Sequence, residues 1–195
     1  MSYNVYTTEG LILSYTPLRE ADRVYSILTR DLGLIRCTAT GVRKETSKLR
    51  GSLEPLTLSN ISLIKGKEYW RLTSAVFQKN IVRDLESKKK ILQSVSKSLV
   101  LLAGLVQGEE AHSELYDSII PIIENTKEVE VNNADAFEIV LVSRILFHLG
   151  YLSEKDVPEG LIHKTPTNEL FEEIKAEKRR ILEVINQSLR TTDLA

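Results

Sequence analysis

The sequence predicts an α+β protein in two parts, a five-stranded β-barrel over residues 1–80 followed by an all-α domain over residues 81–195. Three observations carry this. The first 80 residues hold short strand-like runs cut by glycine and charged turns, with no helical period. Beyond Asn80 the apolar residues recur at spacings of three and four, which is one face of a helix. The charge also changes sign: residues 1–80 carry 12 Lys and Arg against 7 Asp and Glu, the remainder 14 against 20, within a net charge of −1. Such asymmetry points to two domains with different partners.

The strand runs are Tyr3 to Tyr15, Arg23 to Arg30, Leu34 to Gly41, Leu56 to Ile64 and Glu68 to Phe77, with turns at Asp31-Leu32-Gly33 and Lys65-Gly66-Lys67. In the fourth run Leu56 and Leu58 alternate, then Ile61 and Leu63 do so in the opposite phase. A slip at Ser59-Asn60 is the mark of a β-bulge, which lets a short sheet coil. Five short strands in so few residues most economically make a Greek-key barrel of the oligonucleotide-binding (OB) type.

In the second part, Ile91, Val95, Leu99, Leu102 and Val106 form one helical face ending near Gly108. Ser113 is the expected N-cap of a second helix carrying Leu115, Ile119, Ile122 and Ile123, in which Pro121 should force a kink or an early end. The third, Ala134 to Leu149, is apolar nearly all round and belongs at the centre of a bundle, with Gly150 as its stop. Ser153 to Thr167 reads as a loop. The last helix starts near Asn168 and aligns Leu170, Ile174, Ile181, Ile185 and Leu189.

At 42% hydrophobic and 27% charged residues, the composition is that of a globular chain rather than a disordered one. The longest apolar run, Leu99 to Val106, falls far short of the roughly 20 residues that cross a bilayer. The N-terminus shows no secretory pattern, so a cytoplasmic protein is expected. One cysteine, Cys37, leaves no intramolecular disulfide and no multi-cysteine zinc site. His112, His148 and His163 are far apart, and neither a phosphate-binding glycine loop nor a nucleophile elbow is present. The adjacent pairs Glu109-Glu110 and Glu172-Glu173 read as solvated surface. No enzyme and no cofactor is expected.

The most suggestive feature is the basic cluster Arg36, Arg43, Lys44, Lys48 and Arg50, interrupted by Glu45 alone among the acids, around the loop Gly41 to Gly51. Beside a barrel face these charges would neutralise phosphates and release counterions; otherwise they are merely solvated. Lys65, Lys67 and Arg71 add to them. Tyr3, Tyr6, Tyr25, Tyr69 and Trp70 could offer ring faces for base stacking. Alternation sets Trp70, Leu72 and Val76 on the core face and Tyr69, Arg71 and Thr73 outside, so Tyr69 is the better stacking candidate.

Residues Thr8 to Ala75 resemble the N-terminal domain of the bacterial recombination mediator RecO. The matching stretches are Glu9-Gly10-Leu11-Ile12-Leu13, Arg19-Glu20-Ala21-Asp22 before Tyr25-Ser26-Ile27-Leu28-Thr29, and Gly33-Leu34-Ile35-Arg36. Most diagnostic is Gly41-Val42-Arg43-Lys44 followed by Lys48-Leu49-Arg50-Gly51-Ser52-Leu53-Glu54-Pro55. Arg144-Ile145-Leu146-Phe147-His148-Leu149-Gly150-Tyr151 is similar to the helix end that precedes the zinc module in many members. This resemblance implies a DNA repair and recombination mediator, nucleoid-associated, that binds single- and double-stranded DNA and anneals complementary strands without nucleotide hydrolysis. It also implies engagement of RecR and of the acidic tail of single-stranded DNA-binding protein, to load RecA onto covered strands. Leu152 to Thr167 lacks the four cysteines of the zinc module, so metal binding is not carried over. For the tail, Arg144 is the expected anchor, chosen over Lys88-Lys89-Lys90, Lys97 and Lys127 because an unpaired charge in an apolar helix needs a partner carboxylate; the alternative is an internal salt bridge. A protein-interaction adaptor and an RNA-binding barrel remain as rival readings.

Overall fold

Alternating apolar residues along five strands close a barrel with the neighbour order β1-β2-β3-β5-β4 in a computed structural model that describes residues 4–106 and 108–190. The strands are β1 Val5–Pro17, β2 Arg23–Thr29, β3 Gly33–Ala39, β4 Thr57–Ile64 and β5 Trp70–Asn80. All pairings are antiparallel except the closing one, where β3 meets β5 in parallel at only two positions, Cys37 beside Trp70 and Thr38 beside Arg71. The inward side chains, among them Ile12, Tyr25, Ile27, Ile35, Ile61, Leu63, Trp70 and Leu72, form one core, and Val42 and Leu53 from the β3–β4 connection enter it. Their burial, at roughly 1.5–3 kcal/mol for each large apolar side chain, is the main force holding the loop to the barrel.

The slip expected at Ser59-Asn60 of β4 meets a register shift between Leu58 and Ser59, but the extra residue is on the partner strand: Leu58 faces Lys79 and Ser59 faces Phe77, so Gln78 of β5 is skipped, while β4 runs in unbroken register against β1. A second shift corrects the sequence reading of β5. Leu63 faces Leu72 and Ser62 faces Ser74, so Thr73 is skipped and the alternation reverses. Val76 consequently points outward, 61% exposed, instead of into the core.

Contacts divide the chain into two units, Met1–Asp84 with Gln107–Ser113, and Leu85–Val106 with Glu114–Ala195. The barrel unit therefore extends past the boundary at residue 80 to take in the single turn α1 (Ile81–Asp84), and it recovers the short segment that follows α2 (Lys89–Leu105). Gly33 marks where that segment seats. At φ +71° it adopts a left-handed conformation open to glycine, and a Cβ there would lie 2.0 Å from the Glu110 carbonyl oxygen.

The second unit contains α2 (Lys89–Leu105), α4 (Ala134–His148), α5 (Asn168–Arg190) and nearly all of α3 (Ser113–Glu124). The nearly all-apolar α4 packs against α2 and α5, with Ile139, Val140, Leu141, Ile145 and Leu146 buried. Its C-terminus closes as expected at Gly150 (φ +79°): Gly150 N–H donates to Phe147 O at 2.9 Å and Tyr151 N–H to Leu146 O at 2.8 Å, a Schellman motif. The early end that Pro121 could impose does not occur: α3 continues to Glu124 with the proline on its exposed side. No described helix is long and apolar enough to cross a membrane.

Candidate nucleic-acid interface

The β3–β5 closure sets the geometry of the site. Arg36 and Thr38 are the outward residues of β3 at the point where β5 begins, and the parallel register puts Tyr69 and Arg71 next to them. The Arg36 guanidinium lies 5.3 Å from the centroid of the Tyr69 ring, a cation–π distance. Thr38 Oγ1 donates to Trp70 O at 3.3 Å, pinning the two strands where their ladder is shortest. Lys65 and Lys67 lie in the turn leading into β5, both exposed.

The basic loop is held at its start and at its far end while its charges stay out. Gly41 N–H donates to Asp22 Oδ1 at 2.8 Å and Arg43 N–H to Ala21 O at 3.0 Å, tying the loop to the β1–β2 turn. Lys44 N–H to Gly41 O and Ser47 N–H to Lys44 O wind it into successive turns, and the 3₁₀ segment Arg50–Leu53 ends it with Leu53 fully buried. Arg43, Lys44, Lys48 and Arg50 all project into solvent. Among the described residues none of these four, nor Arg36, Lys67 or Arg71, forms an ion pair. A set of uncompensated cations on an ordered loop and strand edge attracts polyanions at little ordering cost.

The aromatic candidates separate. Tyr25 is fully buried in the core, and that burial raises the pKa of its phenol, so it is not a stacking surface. Trp70 is core, as alternation predicts, and Tyr6 meets it edge-on with centroids 5.2 Å apart. Tyr69 remains, half-buried beneath Arg36. Tyr3 lies outside the described residues. Cys37 is buried and its thiol is pushed up to about 12, which makes it inert at neutral pH.

Two residues have roles that no spacing announces. Glu109, read as solvated surface, accepts a hydrogen bond from Trp70 Nε1 at 2.9 Å and lies 3.5 Å from Lys65 Nζ. Arg144, expected to meet a partner's carboxylate, is instead 4% exposed, and its guanidinium donates to three backbone carbonyls, Leu161 at 3.2 Å, Ser118 at 3.0 Å and Lys164. It is a strap inside the helical unit, satisfied by carbonyls rather than by an internal glutamate, and has no free donor face for a peptide. Burial lowers its pKa to about 10. No cluster of three His, Cys, Asp or Glu side chains suited to a metal occurs among the described residues.

The family described as "Recombination protein O N terminal" matches residues 1–80. Over a longer stretch the chain is similar to proteins named DNA repair protein RecO. That of Synechococcus sp. (strain JA-2-3B'a(2-13)) is 29% identical over 160 residues, covering 76% of this chain and 54% of that protein. That of Thermodesulfovibrio yellowstonii is 31% identical over 153 residues, covering 76% and 59%. That of Nocardioides sp. (strain ATCC BAA-499 / JS614) is 32% identical over 138 residues, covering 60% and 57%. The chain thus spans a little over half the length of these curated relatives.

Proposed function

We propose that this chain is a RecO-family DNA repair and recombination protein and, from that premise, a non-enzymatic DNA-binding mediator. Its barrel holds single- and double-stranded DNA by the phosphate backbone at Arg36, Arg43, Lys44, Lys48, Arg50, Lys67 and Arg71, with Tyr69 as the stacking ring. Lys65 completes the set when it is released from Glu109. The observation that carries this is the ordered basic loop whose cations have no internal partner while its apolar residues are fixed in the core.

Neutralising two strands lowers their mutual repulsion, so the protein anneals complementary strands without ATP, and no covalent step is needed. RecR and the acidic tail of single-stranded DNA-binding protein are its proposed partners in loading RecA. With Arg144 buried, tail contacts fall to exposed cations such as Lys89 and Lys90. The test is an anisotropy titration of labelled single-stranded DNA at 50 and 200 mM salt. Binding that weakens steeply with salt supports the reading, whereas no affinity for bare DNA at either salt rejects it in favour of a protein adaptor. An equal titration with RNA of matched sequence that binds far more tightly would move the assignment to RNA.

A further inference from the structure

The segment after α2 brings a carboxylate to the start of β5, beside Lys65 of the cation set proposed to hold nucleic acid. Its Glu110 backbone sits over Gly33 at the start of β3, and its Glu109 side chain reaches β5. One Glu109 oxygen takes the Trp70 indole proton at 2.9 Å and the other faces Lys65 Nζ at 3.5 Å, while that ammonium lies 5.3 Å from the indole centroid. Two anionic oxygens, one on a neutral N–H and one on a lysine, are what a phosphodiester presents. Tyr69, which lies under the Arg36 guanidinium, directly precedes Trp70 in the chain.

We propose that Lys65 and the Trp70 indole N–H form a phosphate subsite for the nucleic-acid backbone, and that Glu109 is its internal stand-in, seated when no strand is bound and displaced when one is. The proposal rests on the DNA-binding reading above and adds a self-inhibitory element to it. Glu109 does two things against binding: it spends the charge of Lys65, and it sets a negative charge where a phosphate must come. Both reverse when the carboxylate leaves. A purely structural Glu109, pinning the segment to the barrel, would need only the hydrogen bond to Trp70.

Glu109→Gln separates these possibilities, because the amide oxygen still accepts from the indole while the charge is gone. With full-length chain and a labelled oligothymidine, the variant should bind up to about fivefold tighter at 0.1 M salt, the weight of an exposed ion pair that no longer has to be broken, with a slope of log affinity against log salt close to that of wild type, because Lys65 meets phosphate in both bound states. Glu110→Gln removes an equal charge one residue away and should change affinity less than about twofold, since screening at this ionic strength weakens exposed charges that are not in contact. Lys65→Ala should cost little alone and should cut the gain of Glu109→Gln to the part that comes from the charge beside the indole. Emission of the single tryptophan, Trp70, reports displacement directly: saturating DNA should shift it in wild type.

Wild-type binding with no gain in Glu109→Gln, an equal gain in Glu110→Gln, or a gain undiminished by Lys65→Ala would overturn the subsite and leave the DNA-binding reading standing. No binding by wild type or any variant would overturn that reading itself, and the subsite with it.

Discussion

Replacing Arg43, Lys44, Lys48 and Arg50 together with alanine removes charge from the loop without removing the loop. The four side chains are exposed and unpaired, whereas the loop is fixed by Val42 and Leu53, fully buried, and by backbone bonds to Asp22 and Ala21. The stability change should therefore stay within about 0.5 kcal/mol for each exposed position. If all four cations touch phosphates, the slope of log affinity against log salt falls by about 2.8, at about 0.7 per single-strand contact. Extrapolated from 1 M, that is an affinity loss of up to roughly 600-fold at 0.1 M salt, and about fivefold if only one makes contact. Anisotropy titrations of a labelled oligothymidine between 50 and 300 mM salt measure both quantities, with circular dichroism to confirm the fold. A folded variant with the wild-type slope would refute the assignment of this loop.

Three further outcomes follow from the structure. Arg144→Leu strands the carbonyls of Leu161, Ser118 and Lys164 and should cost about 2–4 kcal/mol, read as a lower urea midpoint; DNA affinity of the folded variant should not change. His148 is half-buried, and that desolvation lowers its pKa, against the opposing pull of Glu114 and with further lowering from His163 and Arg144. The unfolded chain then takes up the proton first, so stability is lost as pH falls from the ordinary histidine value toward the depressed one; His148→Gln should flatten the change in urea midpoint between pH 7.5 and 5.5, and an unaltered difference would remove His148 from the account. Cys37 should react with a thiol reagent at pH 8 only after unfolding, and rapid labelling of the native protein would contradict its burial.

How far residues could be read without coordinates follows from the range of each interaction. The strands are legible because a half-buried strand alternates and Gly or charged residues mark the bends between strands. The second β5 shift leaves no such mark, because Leu72, Ala75, Val76 and Phe77 fit either phase until their partners on β4 are known. Gly150 could be assigned from local chemistry alone, since a Schellman turn is closed by residues five apart. Arg144 and Glu109 could not. Their partners lie 17 to 44 residues away and are backbone carbonyls, an indole and a lysine that carry no pairing signal in sequence. The basic loop was visible by composition, but its rigidity rests on Val42 and Leu53, which look like ordinary loop apolars until the barrel closes on them.

The central claim is a place: nucleic acid meets the β3–β4 loop and the β3–β5 edge. Amide chemical shifts of isotope-labelled protein, followed as an oligothymidine is added at low salt, test it most directly. The account predicts changes concentrated at Arg36, at residues 41–51 and at residues 65–71, with Lys65, Trp70 and Glu109 moving together. Changes concentrated instead in α2 to α5, with the basic loop silent, would contradict it.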